Sequence, residues 1–214
     1  MRIGGFLKHS LIDWEGMITA VIFTRGCNFR CGYCHNPSLV LPGLFNETED
    51  IESEEILSYL NIRKQWIDGV VISGGEPTVH PDLPEFIKLV RNAGYRIKLD
   101  TNGSNPVMLK ELVSAGLVDF VAMDIKTLLK SSAYYEITGS SSLRLIQRIS
   151  ESVSILRTSG VQYQFRTTLV PGFHTEEIVE QLKKEFKGDP LVLQQFREGV
   201  TIESLNDRQS FPNS

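Results

Sequence analysis

The sequence has few cysteines, no long hydrophobic run and little net charge. Its 214 residues include three cysteines, and 22 basic residues stand against 26 acidic ones, for a net charge of −4. This balance offers no basic surface for nucleic acid. No run approaches the roughly 18 apolar residues of a membrane span, and the N-terminus lacks the apolar core of a signal peptide. We therefore expect a cytoplasmic protein without nucleic-acid or membrane partners.

The three cysteines are concentrated in one short stretch. Cys27, Cys31 and Cys34 are separated by three and then two residues, so their thiols must converge on one point. An odd number of cysteines at this spacing argues against a disulfide framework and for a reducing compartment. Three thiolates at one point predict a metal centre.

Two kinds of metal centre fit three cysteines. A structural zinc normally takes a fourth protein ligand. His35 directly follows the last cysteine and is badly placed for this role, which leaves the distant His9, His80 and His174. A four-iron cluster held by three cysteines instead keeps one iron open for a small molecule.

The hydrophobic pattern predicts an α/β protein. Continuous apolar, β-branched runs predict buried strands at 17–24, 69–73, 95–99, 118–123, 161–169 and 191–196. Helices are expected between them at about 53–66, 82–92, 106–115, 143–158 and 175–186, with Ser53 and Thr175 as caps. This alternation implies right-handed βαβ units and a parallel sheet. We expect one domain over 1–214, a partial (β/α)6 TIM-type barrel with a short extension at 1–16 and a loosely ordered tail at 197–214.

Polar motifs follow four of the predicted strands. They lie at 26–27, 73–76, 100–102 and 124–126. Each alone is compatible with a turn or a solvated face. The C-terminal ends of parallel strands share one rim, where ligands bind in such folds. Four motifs on one rim predict a binding site.

The cysteine loop and the segment Ser73-Gly74-Gly75-Glu76-Pro77 resemble the hallmarks of the radical S-adenosylmethionine (SAM) superfamily. Those hallmarks are a Cys-x-x-x-Cys-x-aromatic-Cys loop and a Gly-Gly-Glu-Pro strand end, and both are unbroken here. The ending Tyr33-Cys34-His35-Asn36-Pro37 is similar to activating enzymes of glycyl-radical enzymes, most of all the anaerobic ribonucleoside-triphosphate reductase activating proteins. The resemblance extends from about residue 10 to residue 196.

The resemblance implies two cofactors and assigns residues to them. The three cysteines would hold a [4Fe–4S] cluster, and SAM would chelate its open iron. Tyr33 and the backbone around His35 would lie against the adenine. The strand end with Gly74 and Gly75 would bind the ammonium group of SAM, and Glu76 would fix its geometry. Further cofactor contacts are implied for Asp100, Asn102, Asp124, Lys126, Arg166 and Thr168.

The resemblance also implies a partner and shows two departures. A glycyl-radical enzyme would be the protein substrate, with Asp13 near its peptide. Activators of pyruvate formate-lyase carry a histidine after strand six, where this chain has Leu193-Gln194-Gln195-Phe196. A second, ferredoxin-like cysteine set is also lacking, so electrons must come from a separate donor of the flavodoxin or ferredoxin type.

Two other functions are compatible with the same motifs. One is a radical SAM enzyme that acts on a small molecule, similar to the carboxydeazaguanine synthases. The other is a module without enzymatic activity that binds iron–sulfur or zinc, which predicts no SAM binding.

Overall fold

The structure, a computed structural model, describes residues 1–47 and 49–205. In this part of the chain, seven strands form one sheet in the order β1-β2-β3-β4-β5-β6-β7. The strands are Ile3–Ser10, Thr19–Thr24, Gly69–Gly74, Arg96–Thr101, Phe120–Asp124, Gln162–Leu169 and Leu191–Gln195. β1 pairs antiparallel with β2, and each later pair is parallel. The sheet stays open between β7 and β1, as expected for a partial barrel.

Helices connect the parallel strands. They are α1 Pro37–Val40, α2 Ser53–Ile62, α3 Leu83–Asn92, α4 Pro106–Ser114, α5 Ser131–Thr138, α6 Leu145–Ser159 and α7 Glu176–Glu185. Short 3₁₀ helices occupy Pro42–Glu47 and Pro77–Val79. No helix in the described residues is both long and apolar enough to cross a membrane.

The two faces of the sheet are covered differently. The main core joins strand residues such as Ile22, Ile72 and Leu99 to the helices. On the inner face a smaller cluster packs Val21 and Val71 beneath Trp14. Because strand residues alternate in direction, this burial on both faces explains why β2 and β3 are apolar without interruption.

The parallel strands confirm the predicted architecture, and the connections contain most of the differences. The predicted extension at 1–16 contains β1, a seventh strand. α1, α5 and the 3₁₀ helix Pro42–Glu47 were not expected. Thr175 caps α7 by accepting a hydrogen bond from the amide of Ile178, but the predicted cap at Ser53 is wrong. Glu52 occupies that N-cap position without a side-chain hydrogen bond, and Ser53 is the first helical residue.

The tail beyond β7 was expected to be loosely ordered from 197 to 214. Its described part instead folds back on the cysteine loop. The amide of Ile202 donates to the carbonyl oxygen of Cys34 at 3.2 Å, and the amide of Glu203 donates to that of Gly32 at 2.9 Å. Ile202 is 5% exposed. Residues 206–214 lie outside the described part.

Candidate functional site

The C-terminal rim of the parallel strands encloses a cavity of about 220 Å³. All three cysteines line it. So does each residue that the sequence assigned to cofactor binding: Tyr33, His35, Gly74, Gly75, Glu76, Asp100, Asn102, Asp124, Lys126, Arg166 and Thr168. The four predicted rim motifs therefore meet in one place.

The cysteine loop leaves β2 and turns across the mouth of this cavity. Cys31 is buried, and Cys27 and Cys34 are half-buried. Burial, reinforced by the nearby Glu76, raises the pKa of Cys27 to about 12. Burial also raises the pKa of Cys31. Thiolates here need a positively charged partner, as a bound iron–sulfur cluster provides.

Three cysteines at one site suit a cluster that keeps one iron open. In residues 1–47 and 49–205, no group of three or more His, Cys, Asp or Glu side chains is arranged to hold one metal ion. A cluster does not require such close approach, because each cysteine binds a different iron. Two of the three histidine candidates for zinc have other contacts. His174 binds the backbone of Val170 and Lys126, and His9 contacts Tyr59.

Glycines at the end of β3 allow the cysteine loop to touch that strand. The amide of Glu76 donates to the carbonyl oxygen of Gly26 at 2.8 Å. A Cβ atom on Gly75 would lie 2.1 Å from that same oxygen. Gly74 has φ +104°, in the left-handed region that disfavours other residues. The glycine pair therefore positions the cysteine loop as well as lining the cavity.

Glu76 joins the ends of β3 and β4. It is 1% exposed, and its Oε1 accepts hydrogen bonds from the Thr78 amide and from the hydroxyls of Thr78 and Thr101. Its Oε2 accepts from the Asn102 amide at 2.6 Å. Burial raises the pKa of Glu76 despite these donors. Asn102 in turn donates to Asn28, a loop residue that the sequence analysis missed.

A row of alternating charges extends from β4 to the loop after β5, and all its members except Lys98 line this cavity. Lys98 lies 3.5 Å from Asp100, and Asp100 lies 3.2 Å from Arg166. Arg166 lies 2.8 Å from Asp124, which lies 3.0 Å from Lys126. In order, the charged row consists of Lys98, Asp100, Arg166, Asp124 and Lys126.

The charged row favours the ionised forms of Asp124 and Lys126. Burial alone would raise the pKa of Asp124, but Arg166 and Lys126 outweigh it and lower the pKa to about 2. Asp124 in turn raises the pKa of Lys126 against the effect of burial. Oδ1 of Asp100 is buried and accepts no hydrogen bond within the described part of the chain. This orphaned acceptor suits a cofactor that brings a hydroxyl or an ammonium donor.

The residues expected near the adenine, Tyr33 and His35, also line the cavity. Lys126 Nζ lies 5.9 Å from the centre of the Tyr33 ring. The His35 ring lies 5.1 Å from that of Phe196, and its Nε2 is 2.7 Å from the carbonyl oxygen of Arg197. The segment after β7 thus braces the cysteine loop from outside.

A second cavity, of about 980 Å³, adjoins the first. The two share His35, Arg166 and Thr168 as lining residues. Asp13 lines the second cavity and not the first. Its carboxylate accepts a hydrogen bond from the Ser10 hydroxyl, and its carbonyl oxygen accepts one from Lys98.

The sequence analysis missed Lys98. The signal was present, because Lys98 and Asp100 are two residues apart on a strand and so point to the same face.

Three thiols lie beside paired charges at the C-terminal rim of this partial α/β barrel. This arrangement is that of a cofactor-dependent metalloenzyme. The chain belongs to the radical SAM superfamily, whose sequence profile matches residues 21–184. It is therefore a radical SAM enzyme, and the cofactors of its family are a [4Fe–4S] cluster and SAM.

The named relatives include activating enzymes and a GTP cyclase. A Methanocaldococcus jannaschii protein, provisionally named a glycyl-radical enzyme activating enzyme, is 32% identical over 91% of this chain and 79% of its own length. The pyruvate formate-lyase-activating enzyme of Clostridium pasteurianum is 30% identical over 79% of this chain and 69% of its own. A GTP 3′,8-cyclase of Helicobacter pylori is 32% identical over 76% of this chain and 50% of its own.

The fold also resembles solved structures. Streptococcus suis SuiB bound to S-adenosylmethionine superposes with a TM-score of 0.65 at 17% identity. The match covers 89% of this chain and 44% of SuiB. The likeness at this identity supports the fold.

Proposed function

We propose that this protein uses SAM to install a glycyl radical on a partner enzyme, as an activating protein of the anaerobic ribonucleotide reductase type. When bound, the reduced cluster and SAM together supply a 5′-deoxyadenosyl radical, which abstracts hydrogen. This chain binds and orients the cofactors and admits the partner. An external donor of the flavodoxin or ferredoxin type supplies the electron.

The second cavity carries this proposal, because it adjoins the cofactor cavity and is large. Its volume, about 980 Å³, exceeds the about 220 Å³ of the cofactor cavity. The open edge between β7 and β1 leaves room for a loop of another protein. A substrate there reaches the cofactor past His35, Arg166 and Thr168.

The lining of the second cavity is rich in neutral amides. Four glutamines line it, and their side chains form no hydrogen bond to other described residues: Gln162, Gln164, Gln194 and Gln195. Side-chain amides both donate and accept, so they match the amides of a polypeptide main chain. Gln194 and Gln195 lie in the segment where activators of pyruvate formate-lyase carry a histidine.

The charges of the second cavity disfavour a highly anionic substrate. Lys98 and Arg166 are already paired with Asp100 or Asp124. Asp13 and Glu15 add two negative charges to the same lining, and Arg197 adds one positive charge. A nucleoside triphosphate would need several uncommitted cations.

The alternative is a radical SAM enzyme that acts on a small molecule, of the carboxydeazaguanine synthase kind. The GTP 3′,8-cyclase relative favours it, since that enzyme is 32% identical yet is named for a nucleotide reaction. The activating-enzyme relatives cover more of this chain, up to 91%.

The experiment uses anaerobically reconstituted protein, SAM, a reduced flavodoxin and the anaerobic ribonucleotide reductase of the same organism. We expect an oxygen-sensitive glycyl-radical signal in electron paramagnetic resonance, together with 5′-deoxyadenosine. Cys31→Ala is the control and gives neither product. Formation of 5′-deoxyadenosine without a glycyl radical on any glycyl-radical enzyme would favour the small-molecule alternative.

A further inference from the structure

Lys98 is a buried cation in an apolar layer of the sheet. Its neighbours across the strands, in register, are Val71 and Phe120. Lys98 is 5% exposed, and burying an ammonium is costly unless it is paired. An apolar side chain would satisfy packing at this position, so the charge indicates another role.

The ammonium of Lys98 lines the second cavity and pairs with a residue of the cofactor cavity. Nζ donates to the carbonyl oxygen of Asp13, in the segment that lines the second cavity. It also lies 3.5 Å from Oδ1 of Asp100, which lines the cofactor cavity. The ring of Phe120 lies 5.8 Å from Nζ.

We propose that Lys98 is a positioning residue that couples occupancy of the cofactor cavity to the position of residues 10–16, here named the N-terminal strap. The strap would border the path of a polypeptide substrate, a consequence that rests on the proposed function. The coupling itself does not depend on which substrate is used.

The direction of the coupling follows from the partners of Asp100. Its Oδ2 accepts hydrogen bonds from Ser73 and Arg166, whereas Oδ1 has the 3.5 Å ion pair with Lys98 and no hydrogen bond among the described residues. A donor group of SAM that binds Oδ1 competes with Lys98 for the carboxylate. The ammonium then bonds more strongly to the Asp13 carbonyl, so SAM binding fixes the strap. Such coupling is reciprocal, and a substrate that fixes the strap tightens SAM binding.

Hydrogen exchange of the strap amides tests this proposal without a partner enzyme. Cluster-loaded wild-type protein is compared with and without SAM. We expect SAM to slow exchange across residues 10–16 by about fivefold or more, the lower range of typical coupling. Lys98→Met should show fast exchange in the strap that SAM does not change. Iron content and exchange in β3 report whether this variant keeps the fold.

Two further substitutions separate charge from hydrogen bonding. Lys98→Arg keeps the charge and should restore part of the SAM response. Lys98→Gln can still donate to the Asp13 carbonyl but cannot pair with Asp100, so the strap should be protected and insensitive to SAM. Lys88→Met, on the exposed face of α3 where Lys88 lies 3.9 Å from Glu85, is the matched control and should behave as wild type.

Two results would overturn the proposal. One is a wild-type strap whose exchange SAM leaves unchanged, and the other is an equal SAM response in Lys98→Gln and wild type. Because no partner is present, intact coupling combined with failed glycyl-radical formation would contradict only the proposed function.

Discussion

Asp124 and Arg166 form an ion pair across neighbouring strands, with Arg166 Nε donating to Asp124 Oδ1 at 2.8 Å. Arg166 also reaches Asp100 on the next strand, at 3.2 Å. One guanidinium therefore fixes two carboxylates at the rim. A cofactor that enters this cavity meets charges that are already oriented, which lowers the cost of binding.

Asp124→Ala and Lys126→Ala should weaken SAM binding without loss of the cluster. Each change removes one member of the charged row, and a lost hydrogen bond to a charged group costs about 1.5–3 kcal/mol. This corresponds to about 10- to 100-fold in the dissociation constant, measured by calorimetry on reconstituted protein. Lys130→Ala, at an exposed position near α5, is the control. Wild-type affinity in both variants would show that this strand end does not bind the cofactor.

Loss of any one cysteine should abolish the iron centre. Reconstituted wild-type protein should bind about four irons per chain and absorb in the visible range, as [4Fe–4S] proteins do. Cys27→Ala, Cys31→Ala and Cys34→Ala each remove one of three anchors and should bind almost no iron. A colourless wild-type protein with one tightly bound zinc would contradict the cluster.

The sequence predicts the parallel sheet well because its strands are buried on both faces. The run Ala20-Val21-Ile22 packs one side chain inward and two outward, and all three are 0% exposed. The four rim motifs could be predicted for the same reason, since each lies at or just after the end of such a strand. The sequence does not reveal which rim residues pair with one another.

Contacts between distant segments account for what the sequence misses. Ile202 belongs to a polar, proline-interrupted tail whose composition predicts a loose chain, yet it is buried against the cysteine loop. Glu76 carries an expected cofactor role, and its hydrogen bonds to Thr101 and Asn102 depend on the approach of β4. Neither contact leaves a periodic signal.

Glu76→Ala should destabilise the fold, because it leaves several buried donors without an acceptor. The Asn102 amide and the Thr101 hydroxyl are both buried and bond to this carboxylate. Unsatisfied buried groups cost about 1–3 kcal/mol each, so the free energy of unfolding should fall by about 3 kcal/mol or more. Urea unfolding of cluster-free protein measures it. Glu85→Ala, whose side chain is 66% exposed, is the control, and an equal loss in both variants would contradict a structural role for Glu76.

Ile202→Asp should make the cluster more labile. A charge at this buried position detaches the tail, and the cysteine loop then loses hydrogen bonds at Gly32 and Cys34. If the free energy of local opening falls by about 1.4 kcal/mol, iron release should become about tenfold faster. The release rate is measured with a chelator under anaerobic conditions. Val200→Asp is the matched control, because Val200 is 48% exposed. Equal release rates in the two variants would mean that the tail does not protect the loop.

The last prediction concerns Asp13, which the proposed function places beside the substrate peptide. Asp13→Ala should lower activation of a glycyl-radical partner by up to about 100-fold, because small misplacements of a reacting group cost this much. Slow cleavage of SAM without partner should continue unchanged, since Asp13 does not line the cofactor cavity.

The Asp13 carboxylate also accepts a hydrogen bond from Ser10, so a disturbed turn is a second cause of lost activation to be tested. Ser10→Ala separates the two causes, because it removes this hydrogen bond and keeps the carboxylate. Near-wild-type activation in Ser10→Ala with a large loss in Asp13→Ala supports a substrate contact. Equal losses would assign Asp13 a structural role in the strap, and undiminished activation in Asp13→Ala would exclude it from substrate binding.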